Sequence, residues 1–463
     1  MTVLGPQIET LQRIQSREMA GSVEAVRGLS LLVRDLPLPV GALVRVECRW
    51  HSASAPDRPV RGEVIGFEGE HSIVMLFDHS AGIAPAMRVV GEQTAQTVQV
   101  GRSLLGRIID GLGRPIDGGG RLADTVARPL HPAPTPALRR RRITEPLPTG
   151  VRSIDAMVTI GKGQRMGVFS GPGVGKSTML AVIARNTAAD VNVIALVGER
   201  GKEVRDFLEF ALGEQGLARS VLVVATSDES PLLRVRAASV ACAVAEHFRN
   251  LGADVVLMMD SITRLAQAQR QIGLTVGEQP ATKGYTPSVF AMMPKLLERA
   301  GTLEDGGSIT GLYAVLVEGD DLTEPISDAS RGILDGHVAL SRRLAARGHY
   351  PAVDLMESIS RVADDVCDGN HQAARRKLLR LVAAYAEAEE LINIGAYARG
   401  SNPDCDVAIE MKPMIDEFLR QGLAEQADYA QTCRGVVELA VKADAVGAKL
   451  AAERAPQTVR PPT

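Results

Sequence analysis

The stretch Gly171-Pro172-Gly173-Val174-Gly175-Lys176-Ser177-Thr178 decides how this chain is read. It is entered from the apolar run Met166-Gly167-Val168-Phe169 and followed by Met179-Leu180-Ala181-Val182-Ile183-Ala184, so it reads as a turn between a buried strand and a helix. Glycines there let backbone N–H groups curl around an anion, and the helix start adds the positive end of its dipole. Lys176 brings a mobile charge for the terminal phosphates. Gly171, Pro172, Gly173, Val174, Gly175, Lys176, Ser177 and Thr178 are therefore the candidate nucleotide-binding residues. Ser177 directly follows the lysine, which puts its hydroxyl where a magnesium ligand is expected. One position departs from the G-x-x-x-x-G-K-[ST] pattern, because Ser170 holds the place of the first glycine.

Outward from this loop, apolar strands alternate with helical stretches from Gly150 to about Asp365. They are Val193-Ile194-Ala195-Leu196-Val197, Val221-Leu222-Val223-Val224-Ala225, Asp254-Val255-Val256-Leu257-Met258-Met259 and Leu312-Tyr313-Ala314-Val315-Leu316-Val317. Such a series indicates a mainly parallel sheet covered on both faces, with ligands at the carboxyl ends of its strands. The third strand ends in Asp260, where a carboxylate would join the magnesium shell of a phosphate loop. The first runs into Gly198-Glu199-Arg200, and a carboxylate at that end would face the γ-phosphate and polarise water. Taken alone, Asp260 would cap a turn and Glu199 would be a solvated loop residue.

Upstream, from about Val23 to Val98, short alternating strands such as Leu43-Val44-Arg45-Val46-Glu47-Cys48 and Ile73-Val74-Met75-Leu76-Phe77 argue for a small β-barrel or sandwich. A glycine- and proline-rich connector follows. It contains Arg139-Arg140-Arg141-Arg142, which reads as a solvated linker run because no aromatic residues interleave it as they would in a nucleic-acid patch. From about Arg375 the chain is helical, with Leu378, Leu379, Val382 and Tyr385 on one face and Val436, Val437, Leu439, Ala440 and Val441 heading another apolar stretch. The last residues, after Glu453, have a disordered composition. The first residues suggest a short amphipathic helix carrying Ile8, Leu11 and Ile14, either a docking element or an edge packed on the barrel. The fold class is α/β: an N-terminal small β-barrel (1–100), a central phosphate-loop NTPase domain with a mainly parallel sheet (101–374, connector 101–149 included), and a C-terminal helical domain (375–463).

At 463 residues two or three domains are expected. Apolar content of 45% with 23% charged residues is that of an ordinary globular protein, and a net charge of -3 gives no whole-chain pull toward nucleic acid or anionic membrane. The five cysteines form no C-x-x-C pair, so a disulfide framework or metal knuckle is not expected, and reduced thiols suit a cytoplasmic protein. The N-terminus lacks a secretory signal, and no apolar run is long enough to span a bilayer.

The loop, Gly198-Glu199-Arg200, Asp260-Ser261-Ile262-Thr263-Arg264, Tyr350-Pro351-Ala352-Val353-Asp354 and Ser358-Ile359-Ser360-Arg361-Val362 together resemble the catalytic subunits of rotary F-type and V-type ATPases. Val168 to Ser177, Glu318-Gly319-Asp320-Asp321, Glu324-Pro325-Ile326-Ser327-Asp328, Arg331 to His337 and Asn393-Ile394-Gly395-Ala396-Tyr397 resemble more closely the ATPase of type III protein export, in its flagellar and injectisome forms. The resemblance covers nearly the whole chain.

It implies a Mg2+-dependent ATPase, a homohexameric ring that energises type III protein export, with flagellar export as the first expectation. The injectisome ATPase and an F-type or V-type catalytic subunit are the alternatives. It further implies that Lys176 and Ser177 hold phosphates and magnesium, that Thr178 and the loop glycines add phosphate contacts, and that Glu199 is the catalytic glutamate. Arg200 and Arg264 would line the site, Tyr350 would stack on adenine, and Arg361 would reach the γ-phosphate of a neighbouring subunit. The segment Gly277 to Tyr285 would face the central hole of the ring. The implied partners are a stalk, stator-like regulators, export substrates and their chaperones. Membrane association would be peripheral, through those partners, at the cytoplasmic face of the inner membrane. An RNA translocase with an N-terminal oligonucleotide-binding barrel is the rival from another class. Aromatic residues make up only 3% of the chain and Trp50 has no stacking companion, which speaks against RNA. A non-catalytic ring subunit is opposed by the presence of Glu199.

Overall fold

The computed structural model describes residues 18–47, 60–93, 96–317, 319, 321 and 323–454. The amphipathic stretch with Ile8, Leu11 and Ile14, the positions of Cys48, Trp50, Glu318 and Asp320, and the final tail lie outside the described residues.

Six antiparallel strands, β1 (Ala20–Arg27), β2 (Ser30–Arg34), β3 (Leu43–Glu47), β4 (Val60–Glu68), β5 (His71–Leu76) and β6 (Arg88–Gln93), close into a barrel in the order β1-β2-β5-β4-β3-β6. Their period-2 pattern puts Val23, Leu31, Val33, Val44, Val46, Val64, Val74, Leu76 and Val89 inside. The connector is not structureless. Its strands β7 (Thr97–Val100) and β9 (Val126–Pro129) pair with each other, while β8 (Ile108–Asp110) joins the central sheet beside β12 (Ser220–Ala225). Arg140 donates to Ala300 O at 2.8 Å, and Arg142 pairs with Asp365 at 2.6 Å. The arginine run therefore straps the connector to the central unit and is not wholly solvated.

The central sheet adds β10 (Arg165–Ser170), β11 (Val191–Val197), β13 (Asp254–Asp260), β14 (Gly301–Thr302), β15 (Ser308–Leu316), β16 (Gly336–Leu340) and β17 (Val353–Ser360). Its order is β17-β16-β10-β15-β13-β11-β12-β8, with β14 pairing β15; β14 and β17 run antiparallel and the other pairings are parallel. Alternation along each strand feeds two cores. Ile194 and Leu196 of β11 face the side of the loop helix Lys176–Asn186, and Val193, Ala195 and Val197 face the helix Pro231–Asn250. Each of these fully buried Val, Leu or Ile side chains contributes about 1.5–3 kcal/mol.

The helices Gly369–Asn393, Pro403–Leu419 and Tyr429–Arg454 pack on one another and on the short helix Arg152–Met157. The buried stripe of the first is Leu378, Leu381, Ala384 and Ala388, with Leu379, Val382 and Tyr385 only partly covered beside it. In the last helix Val436, Leu439, Ala440 and Ala443 are buried and Val441 is exposed.

Candidate nucleotide-binding and catalytic site

Parallel pairing brings the carboxyl ends of β10, β11, β13 and β15 to one end of the sheet, and residues at or just after the ends of β10, β11 and β13 form the phosphate-facing side of the site. After β10 the chain turns through Gly173 (φ 77°) and Gly175 (φ 97°), conformations that favour glycine, into the helix starting at Lys176. Ser170 is the last residue of β10 and is not among the residues of positive φ, so a side chain is tolerated where the loop pattern has its first glycine.

The buried Lys176 ammonium contacts the Asp260 carboxylate and lies 3.9 Å from Glu199 Oε1. Asp260 ends β13 opposite Leu196 of β11, one residue before the strand end that leads to Glu199. Its Oδ2 accepts from Ser177 Oγ at 3.5 Å. Burial raises the Glu199 carboxyl well above the usual carboxylate range, aided by a hydrogen bond with Glu203 and by the Asp260 charge, and opposed by Lys176. A carboxyl poised in this way suits proton transfer at neutral pH. Gly198 (φ 75°) lies so close to Arg264 that an added Cβ would sit 2.8 Å from the Arg264 Cβ. Arg264 lines this corner half-buried, its backbone N–H donating to Ser261 Oγ at 3.3 Å. Arg200 points outward and pairs with Glu203 at 3.7 Å; among the described residues its side chain makes no hydrogen bond or ion pair with Lys176, Glu199 or Asp260.

Beside the loop is a cavity of about 420 Å3 whose lining includes Val174, Gly175, Tyr350, Pro351, Gln421 and Leu423. Tyr350 is 45% exposed, and its ring stands 3.8 Å from where a Cβ on Gly175 would be. The cavity is largely apolar, as a purine base requires. Gln421 is the residue the sequence reading missed. Its backbone N–H donates to Tyr350 O at 2.9 Å, its Nε2 donates to Gly150 O at 2.8 Å, and its Oε1 accepts from Arg152 N at 2.7 Å. The one local signal was Gly422, an interruption between two helical patterns.

Arg361 is elsewhere. It follows β17, whose last residue Ser360 pairs with Gly336, the first residue of β16, whereas Leu340 at the other end of β16 pairs with Ser170. Arg361 therefore lies at the end of the sheet away from the phosphate loop.

Residues 150–360 match the nucleotide-binding domain of the ATP synthase alpha/beta family, and residues 367–438 match the T3SS EscN ATPase C-terminal domain. A flagellum-specific ATP synthase of Treponema pallidum is 48% identical over 91% of this chain and 93% of that protein. The chain belongs to the type III export ATPase family. As a member it is an ATP-hydrolysing enzyme. A type 3 secretion system ATPase of Xanthomonas euvesicatoria is also 48% identical, over 89% of this chain and 92% of that one. The assembled ATPase EscN in complex with its central stalk EscO, from the enteropathogenic E. coli type III secretion system, superposes with a TM-score of 0.83. It is 38% identical, covering 91% of this chain and all of that one.

Proposed function

We propose that this chain is one of six identical subunits of a ring whose ATP hydrolysis energises type III protein export, with flagellar components as the exported cargo. The position of Arg361 carries the ring reading. The Arg361 N–H donates to Asp335 O, and Asp335 pairs with Arg165 at the start of β10; from Arg165 to Ser170 are five strand steps, roughly 16 Å at about 3.3 Å per residue, beyond the reach of an arginine side chain. An arginine for phosphoryl transfer must then serve a neighbour's site.

In this reading Lys176, Thr178 and the loop backbone bind the β- and γ-phosphates, Glu199 orients and deprotonates water, and Arg264 and Arg200 line the rim. Tyr350 stacks on adenine, with Gln421 holding it in place. The Ser177 hydroxyl and Asp260 carboxylate are hard oxygen donors 3.5 Å apart, a set that fits Mg2+, which would neutralise phosphate charge. The barrel with the N-terminal residues (1–100), the nucleotide-binding unit (101–374) and the helical end (375–463) would be the three functional units. The assembled relative with its stalk supports a central stalk partner for this ring. Among the described residues no helix is long and apolar enough to cross a membrane, which agrees with a cytoplasmic ring held at the inner membrane through its partners, with stator-like regulators, export substrates and chaperones docking on it.

An injectisome ring is the second reading, favoured by the secretion-system relatives. The test is export from cells whose own copy is replaced by Glu199→Gln. Loss of extracellular hook and filament proteins, with needle proteins still secreted, is the expected result; the reverse pattern would move this chain to the injectisome.

A further inference from the structure

At its end of the sheet Arg361 is held by backbone. Its N–H donates to Asp335 O at 3.0 Å, and the Asp335 N–H donates to Arg165 O at 2.9 Å. The Asp335 carboxylate accepts three bonds from Arg165, from its backbone N–H at 3.0 Å, Nε at 2.9 Å and Nη2 at 2.8 Å. Gln164, fully buried, donates from Nε2 to Asp335 O at 3.2 Å and to Ser360 Oγ at 3.1 Å, while its Oε1 accepts from Gly161 N at 2.9 Å. Ser360 Oγ in turn donates to Thr159 O at 2.8 Å. Gly336 completes the clamp. A Cβ there would lie 2.3 Å from Ile359 O, so β16 and β17 approach beside Arg361 to a distance that excludes any side chain.

The polar groups of this clamp bond to one another and to Gly161, Thr159 and Glu298, and none of these residues lines the nucleotide cleft. What they fix is the chain entering Arg361, through Ser360 and the Arg361 N–H, while the Arg361 side chain itself is exposed and makes no hydrogen bond or ion pair among the described residues. A guanidinium on a long, rotatable stem is catalytically useful only if its base is fixed, since misplacement by about 1 Å can cost about a hundredfold in rate.

We infer that Gln164, Ser360 and Asp335 are positioning residues that set the angle from which Arg361 meets the γ-phosphate bound by the neighbouring subunit. This rests on the reading of Arg361 as acting across a subunit interface.

Ser360→Ala is the mildest probe, because it removes the hydroxyl between Gln164 and Thr159 and leaves the Asp335–Arg165 pair intact; Ser360→Thr restores the hydroxyl. In Ser360→Ala kcat is expected to fall about tenfold or more, with ATP affinity and melting temperature near the parent's, and Ser360→Thr should recover most of the rate. Mixed rings give the direction. Adding Lys176→Ala chains, which carry a well-held Arg361, should raise turnover per intact phosphate loop of Ser360→Ala, and adding Arg361→Ala chains should not. Recovery with Arg361→Ala chains only would put the lesion in the chain's own nucleotide site and overturn the inference, as would recovery with neither partner or a parent-like kcat in Ser360→Ala. Failure of Lys176→Ala and Arg361→Ala chains to complement each other is a separate outcome. It would remove the cross-interface reading on which the inference stands.

Discussion

Lys176 stands between two carboxylates, in contact with Asp260 and 3.9 Å from Glu199, and the two replacements that separate binding from chemistry follow from that geometry. Hydrogen bonds to charged groups are worth about 1.5–3 kcal/mol, so Lys176→Ala should weaken ATP binding by about tenfold to a hundredfold in calorimetry and abolish turnover with it. Glu199→Gln keeps the shape and loses the proton acceptor. ATP affinity should stay near the parent's while hydrolysis falls by about 10²–10⁴-fold, and hydrolysis at the parent rate would remove Glu199 from the chemistry. Lys176, Ser177, Asp260 and Glu199 stand out in the sequence because each sits where a buried strand ends or a helix begins, a local pattern. Gln421 does not stand out, since its bonds to Tyr350, Gly150 and Arg152 join segments some 70 to 270 residues apart and follow from tertiary packing alone.

At the scale of elements, the long apolar strands of the central sheet were legible because burial on both faces leaves near-continuous runs of Val, Leu and Ile. The three-residue β8 was not, since it hides in a glycine-rich connector and exists only through its pairing with β12, more than a hundred residues downstream. The contact between barrel and central unit was equally silent. Glu63 of β4 accepts from Gln96 Nε2 at 2.6 Å and from Arg236 of the helix Pro231–Asn250 at 3.3 Å. The Arg236 side chain is only 5% exposed, so Glu63→Ala would leave a buried donor without its acceptor and should cost about 1–3 kcal/mol in urea unfolding. Burial pushes the Glu63 carboxyl up from 4.5 to about 7, against the pull of Arg236 and Gln96. A carboxyl raised on folding stabilises fully below pH 4.5, and that contribution is lost as pH rises through about 7. The stability of the parent relative to Glu63→Gln should therefore decline between those two pH values. A constant difference would show that Glu63 stays charged in its buried place.

At the scale of the whole molecule, the phosphate loop stands at the carboxyl end of β10 and Arg361 near its start, which in the proposed reading puts two halves of one reaction at opposite ends of the sheet. Sequence order alone does not reveal this, because Arg361 could lie at either end until the antiparallel register of β17 is known. An arginine supplied from a neighbour is worth about 10³–10⁵-fold in phosphoryl transfer, so Arg361→Ala should bind ATP as the parent does and hydrolyse it at most about a thousandth as fast. The most direct measurement is turnover of rings mixed from Arg361→Ala and Lys176→Ala chains, each inactive alone, with mixed assembly verified by native mass spectrometry. Activity should reappear, because some interfaces join an intact phosphate loop to an intact arginine, and parent turnover per chain should rise with protein concentration as rings form. Verified mixed rings that stay inactive, beside parent turnover that does not change with concentration, would contradict the account.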